Sequence, residues 1–270
     1  MLASPQKILC QGEVTGLHPF LSGATEWQEN LQAINSHLLD CPPVNSVYYY
    51  GTGCSQNEGQ ALVKKYFTTF APILPAPSVA TDLLAAARAL CQQEAGVVGI
   101  LGTGSNAALY DGKHITDQRG GLGYVLGDEG SGANLGKILL QAFLQQQLPA
   151  YIQQALQETH QLSRDTIIST VYQTANPSRY LAQFAPALKE WLPKSSFLQE
   201  KVAAEFGQFA DLSLLPLLAG TGLSEVAFTG SIAVQFRSYL EEALQQRGLR
   251  IKTIITPPLP ALVIYHQAIH

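Results

Sequence analysis

The residues most able to do chemistry in this 270-residue chain sit in two glycine-rich segments and around one acidic helix start. Gly99–Asn106 reads GILGTGSN, an apolar strand running into a Gly-Thr-Gly-Ser turn, and Gly120–Gly136 reads GGLGYVLGDEGSGANLG. Glycine lets a backbone approach an anion closely, because no Cβ intervenes and N–H groups can point inward. In the turn Gly102–Thr103–Gly104–Ser105, N–H groups and two hydroxyls could therefore contact phosphates, although a plain strand–strand turn has the same spelling. The turn lacks the Gly-Lys-Ser/Thr ending of a Walker loop. Asp128 and Glu129 fall at the mouth of a predicted helix, where a carboxylate either caps the helix or accepts hydrogen bonds from sugar hydroxyls in fixed geometry. Asp82, in SVATDLLAAARAL, follows a short strand and begins a helix. It reads as an N-cap, as a carboxylate that takes a proton from an attacking hydroxyl, or as both. Gly230-Ser231 joins a strand to a helix and could floor an adenosine pocket or be an ordinary connection. Gly51–Gly53 has the same two readings. Together these residues point to phosphoryl transfer onto a small hydroxylated substrate. His18, in TGLHPFL, reads as a structural histidine or loop residue.

The bulk numbers exclude several other classes. Hydrophobic residues make up 46% and charged residues 13%, the balance of a chain that can bury a sizeable core. A net charge of −4 argues against nucleic acid as a partner. Cys10, Cys41, Cys54 and Cys91 are widely spaced, with no C-x-x-C pair, so reduced thiols rather than a metal cluster are expected. The start, MLASPQKIL, has no signal-peptide core, and no apolar run reaches the ~18–20 residues of a membrane span. A cytoplasmic protein without membrane partners is expected.

Periodicity supplies the elements that must position these residues. Lys7–Cys10 and Glu13–Leu17 read as two strands of a hairpin or meander. Residues 25–39 read as a helix with Trp27, Leu31, Ile34 and Leu38 on one face. A strand over Val44–Tyr50, a helix over Asn57–Phe70, a short strand over Ser78–Thr81 and a helix over Asp82–Cys91 follow. Gly96–Leu101 opens a new sheet. Ala107–Tyr110 and Lys113–Thr116 read as a hairpin closed by a type I′ turn at Asp111-Gly112. The stretch from Asp128 to Leu218 is mostly helical. It is followed by strand Val226–Thr229, helix Ser231–Gln246, strand Ile251–Ile255 and a last helix over 259–270. Two passes of strands followed by helix–strand alternation predict two α/β lobes of similar plan with a cleft between them. The expected divisions are 1–93, 94–257 with a helical insertion, and 258–270 as a helix returning to the first lobe.

In this order, TGLHPF at 15–20, YYYGTGC at 48–54, TDLLAAARA at 81–89, GILGTGSN, GGLGYVLGDEGSGANLG, FTGSIAVQF at 228–236 and ITPPLPALVIYH at 255–266 cover nearly the whole chain. The set resembles the BadF/BadG/BcrA/BcrD-type ATPase family, in its N-acetylglucosamine-kinase-like branch, within the actin/hexokinase/heat-shock-chaperone superfamily. The resemblance implies two ribonuclease-H-like lobes with ATP and Mg²⁺ between them, and an amino-sugar substrate, N-acetylglucosamine, phosphorylated at its primary hydroxyl. It places Asp82 on the catalytic base and Gly102, Thr103, Gly104 and Ser105 on the second phosphate motif. Gly121, Leu122, Gly123 and Asp128 fall on the sugar loop, and Gly230 and Ser231 on the adenosine motif. His18 stands where related kinases often carry a sugar-contacting Asn. No protein metal ligand is implied, and a homodimer is one possible assembly. The family opens with an Asp-Gly-Gly/Ser-x-Thr-Lys-Thr turn, the first phosphate motif, whereas this sequence opens at the loop and strand just after it. That implies a start upstream of Met1 or loss of the motif, with the first lobe lacking its N-terminal strand. Two alternatives follow: an ATPase activator of a partner enzyme, and a sugar-binding or inactive remnant.

Overall fold

The computed structural model describes residues 1–4, 7–38 and 41–269. It is a mixed α/β protein that divides into two compact units, Met1–Ala89 with the segment from Leu259 on, and Leu90–Pro258. No helix among the described residues is long and apolar enough to cross a membrane.

In the first unit, β1 (Leu2–Ala3) pairs antiparallel with β2 (Ile8–Cys10). The expected strand at Glu13–Leu17 does not form. Its Val14 is exposed, and its end is held instead by the Tyr49 hydroxyl, which donates to the Leu17 carbonyl at 2.8 Å. Burial pushes that phenol up to about 12. A helix spans Ala24–Leu38, and the expected helical position 39 lies outside the described residues. Trp27 and Leu31, one turn apart, enter a core with Val63 and Phe67 of the Asn57–Phe70 helix, and Trp27 stacks on Tyr66 at 4.8 Å. β3 (Tyr48–Tyr50) and β4 (Ser78–Ala80) pair in parallel, with Tyr50 opposite Ala80. The Asp82–Cys91 helix follows directly. The Leu259–Ala268 helix packs Leu262 on Ala85 and Ala89. There, Arg88 Nη1 donates to the Tyr50 hydroxyl at 2.6 Å, and that hydroxyl lies 2.8 Å from His266 Nε2. The arginine can only donate, so the phenol proton points to an accepting Nε2.

The second unit is built on a five-stranded sheet in the order β7 (Ile115–Gly120), β6 (Ser105–Tyr110), β5 (Gly96–Leu101), β8 (Glu225–Thr229), β9 (Arg250–Ile255). β5, β8 and β9 run parallel, while β5–β6 and β6–β7 are antiparallel. Central strand β5 buries Val97, Val98 and Leu101 completely or nearly so, as its unbroken apolar run requires. Edge strand β7 is polar, with Arg119 paired to Asp117 at 3.4 Å. The β6–β7 connection corrects the sequence reading. Asp111 Oδ1 accepts the N–H groups of Lys113 and His114 at 2.8 and 2.7 Å, so a four-residue Asx turn replaces the two-residue turn. β7 then runs on into Gly120, which pairs with Asn106.

Between β7 and β8 lies the helical block. Its central helix, Gly132–Leu144, is buried along most of its length. The Pro177–Ala182 helix crosses it where a Cβ on Gly136 would collide with the Leu181 carbonyl, so the crossing needs glycine. After β8, the single helix expected over Ser231–Gln246 is two, Ser231–Gln235 and Arg237–Gln245. The chain leaves helical geometry at Phe236, whose ring is fully buried against Phe206 at 6.1 Å.

Candidate active site

Asp82 is not needed as a helix cap. Thr81 performs that task, its hydroxyl accepting the Leu84 N–H at 3.1 Å and its carbonyl accepting Ala85 N–H. Asp82 sits one residue further on, half-buried, with Oδ1 accepting the Leu83 N–H and Oδ2 accepting the Thr52 hydroxyl, both at 2.9 Å. Each oxygen keeps a lone pair for another donor. Thr52 is the middle residue of the Gly51–Gly53 turn and is the orienting partner that sequence reading missed.

The same turn holds His18. The imidazole lies on Gly53, where any Cβ would come within 2.8 Å of Cε1 and Nε2. Its Nδ1 faces the N–H groups of Phe20 and Leu21 at 3.2 and 3.3 Å, so Nδ1 is the acceptor and Nε2 carries the proton. The histidine therefore staples its own loop and still presents an N–H donor. Gly51–Gly53 thus gathers Asp82 and His18 in the first unit.

The remaining site residues gather in the second unit, at the end of its sheet. Gly102 and Thr103 turn their carbonyls onto the first N–H groups of the Gly132–Leu144 helix, Gly132 N at 2.8 Å and Ala133 N at 3.0 Å. The turn is thereby fixed, and the Thr103 side chain stays exposed. Ser105 is buried, and its N–H donates to Asp128 Oδ1 at 3.3 Å, while its hydroxyl has no hydrogen-bond partner among the described residues. The Thr229 hydroxyl at the end of β8 is likewise buried and unpartnered. Such orphans are costly in a finished core and mark places where a ligand or water completes the bonding.

Asp128 is 5% exposed and holds a left-handed φ of +62°. Its carboxylate lies against Gly104, where a Cβ would reach Oδ2 at 3.0 Å. Burial pushes the carboxyl above the usual range, against the lowering effect of N–H donors from Ser105 and Gly123. A carboxyl raised in the folded state contributes stability below the unfolded value of about 4 and loses it as pH rises through the folded value. Asp128→Asn, which mimics the protonated form, is expected to melt at or above the wild-type temperature at neutral pH. The gap should close as pH falls toward about 4. Thermal unfolding from acid to neutral pH checks this, and a variant less stable than wild type at neutral pH would contradict it.

Gly121 donates to the Ser105 carbonyl at 3.0 Å, and the Asn106 amide lies against it, so close that a Cβ would meet Nδ2 at 2.9 Å. Asn106 is a second residue whose place beside the glycine loop sequence reading missed. Leu122, at 63%, is exposed, as are Val125 and Leu126 of the short Gly123–Leu126 helix. Gly230 has φ +111° and ψ 153°, and the Leu101 carbonyl occupies the space a Cβ would need.

Gly102, Thr103, Gly132 and Ser231 line a cavity of about 270 Å³, which Arg179, Gln183 and Gln235 complete. Arg179 and Gln183 come from the helical block, outside every quoted motif, and Gln235 from the helix after β8. Among the described residues no cluster of three His, Cys, Asp or Glu side chains is arranged to hold a metal ion.

No protein-family model matches the sequence, and no curated protein does. Solved structures do. One from Porphyromonas gingivalis, provisionally named an N-acetylglucosamine kinase, is 31% identical over 99% of this chain and 94% of its own, with a TM-score of 0.91. A similarly named protein of Chromobacterium violaceum is 21% identical over 90% of this chain and 85% of its own, at 0.62. The ROK hexokinase of Thermus thermophilus is 14% identical over 92% and 86%, at 0.51. The latter two likenesses are of fold.

Proposed function

We propose, from the premise that this chain belongs to the family of that Porphyromonas gingivalis protein, that it is an ATP-dependent kinase of an amino sugar, N-acetylglucosamine, acting on the primary hydroxyl. The observation that carries the reading is the gathering, in one unit, of the Gly102–Ser105 turn, the Asp128 carboxylate and Gly230-Ser231, with the turn and Ser231 lining one cavity. The order of motifs supports placing the chain in the N-acetylglucosamine-kinase-like branch of the BadF/BadG/BcrA/BcrD-type ATPases.

The cavity fits part of a nucleotide. Gly102 lines it with open space where a Cβ would stand, so ligand and backbone can approach closely there, and Thr103 and Ser231 add hydroxyl donors. Bound Mg·ATP supplies the phosphoryl group and offsets its charge. Mg²⁺ would arrive with the phosphates and keep most of its water ligands.

Asp82 takes the proton from the sugar hydroxyl, held in orientation by Thr52 and the Leu83 N–H. Asp128 accepts hydrogen bonds from other sugar hydroxyls, Asn106 and the Gly121 backbone line its loop, and the His18 Nε2–H is a further donor. The Gly102–Ser105 turn steadies the phosphates, and Gly230-Ser231 supports the adenosine. The work is positioning and charge stabilisation. A coupled assay with Mg·ATP should show turnover with N-acetylglucosamine and none with its 6-deoxy analogue, which should still compete for binding. Equal turnover with both would overturn the primary-hydroxyl assignment.

A further inference from the structure

We propose that Arg179 is the fixed cation of the nucleotide cavity and pairs with the phosphate nearest the ribose. The proposal deepens the kinase reading and rests on it.

A nucleotide brings several negative charges, and the protein must meet them with cations or oriented N–H groups. The obvious source, the N-terminus of the Gly132–Leu144 helix, is already engaged. Its first N–H groups bond the Gly102 and Thr103 carbonyls, and the N–H of Asn134 bonds the Ser131 hydroxyl at 3.2 Å. Among the described residues, Arg179 is the only ionisable side chain lining the cavity. Its guanidinium has no hydrogen-bond or ion-pair partner among the described residues, in contrast to Arg88 and Arg247 of the same chain. An unpaired guanidinium on the wall of a cavity lined otherwise by neutral groups is free to form a forked pair with an oxyanion.

The mounting is rigid. Arg179 sits on the Pro177–Ala182 helix, and that helix is pressed onto Gly136 through the Leu181 carbonyl. The next turn is anchored by buried Leu181 and Phe184. The backbone that carries the guanidinium is therefore held in place, and the ordering cost on binding is confined to the side chain. A Cβ on Gly132 would meet Ala182, the Gly102 carbonyl and Ile232 at 3.2–3.3 Å, so the helix that carries Arg179 faces the cavity between the turn assigned to the outer phosphates and the helix start assigned to the adenosine. The phosphate between them is the one that AMP, ADP and ATP share.

Calorimetry on the full chain with adenosine, AMP, ADP and ATP, in the presence of Mg²⁺, tests this. Arg179→Gln should weaken AMP, ADP and ATP by about 10-fold each and leave adenosine unchanged, and Arg179→Lys should recover part of the loss. Arg179 is exposed, so both variants should fold as wild type does. Wild-type affinity for all four ligands in Arg179→Gln would overturn the proposal. An equal loss for adenosine would place the arginine on the base, and a loss for ATP alone would place it on the outermost phosphate; either result refutes it. If wild type bound no adenine nucleotide, the kinase reading would fall and take this one with it.

Discussion

Asp82→Asn is expected to lower kcat by about 10²–10⁴-fold while leaving the KM for the sugar within about threefold. The size follows from losing proton acceptance in the transition state and little else. An asparagine keeps an oxygen to accept the Leu83 N–H, and its NH₂ can donate to the Thr52 hydroxyl in place of the present bond. The helix start survives because its cap is Thr81. The melting temperature should therefore stay close to wild type. Steady-state kinetics with a parallel thermal scan separates the two roles that the sequence left open for this residue. A variant that turned over normally but melted early would assign Asp82 to structure.

Gly230→Ala should cost at least about 3 kcal/mol of stability and raise the Kd for ATP by more than tenfold. Two terms add. At φ +111° and ψ 153° the backbone lies in a region open essentially to glycine, a strain of about 1–3 kcal/mol for alanine. The new methyl must also displace the Leu101 carbonyl at the end of the central strand, and with it the Gly102 backbone beside it. In a unit of this size the sum corresponds to a fall of about 6–12 °C in Tm. Gly222→Ala is the control. Gly222 has φ +73° but open space around it, so it reports left-handed strain without the clash and should cost about 1 kcal/mol. Equal melting temperatures for the two variants would show that the contact with Leu101 does not matter.

Local pattern carried much of this. The unbroken apolar run of β5, the Trp27–Leu31 face and the Asn57–Phe70 helix are all visible as periodicity, because their burial is set by neighbours in sequence. The errors fall where a side chain overrides local preference. Asp111 turned a two-residue turn into four by bonding two N–H groups, and buried Phe236 broke a helix that reads as continuous. The glycine-rich turns were legible because close approach leaves a compositional mark, and Gly104 and Gly230 do adjoin Asp128 and Leu101. The glycines around Thr52 and Asn106 did not show which side chains those two residues would meet, and Arg179 lies in no quoted segment. Thr52 orients Asp82 across thirty positions of sequence, and Arg179 reaches its cavity only because the helical block folds back beside the Gly102–Thr103 turn.

The central claim is phosphoryl transfer to a sugar hydroxyl, and the product tests it most directly. Incubation of the purified chain with Mg·ATP and N-acetylglucosamine, followed by ³¹P and ¹³C NMR, should show ADP and a phosphomonoester whose carbon–phosphorus coupling locates the phosphate on the C6 oxygen. ADP formed at the same rate with and without sugar, with inorganic phosphate as the only other product, would contradict the account and leave an ATPase in place of a sugar kinase.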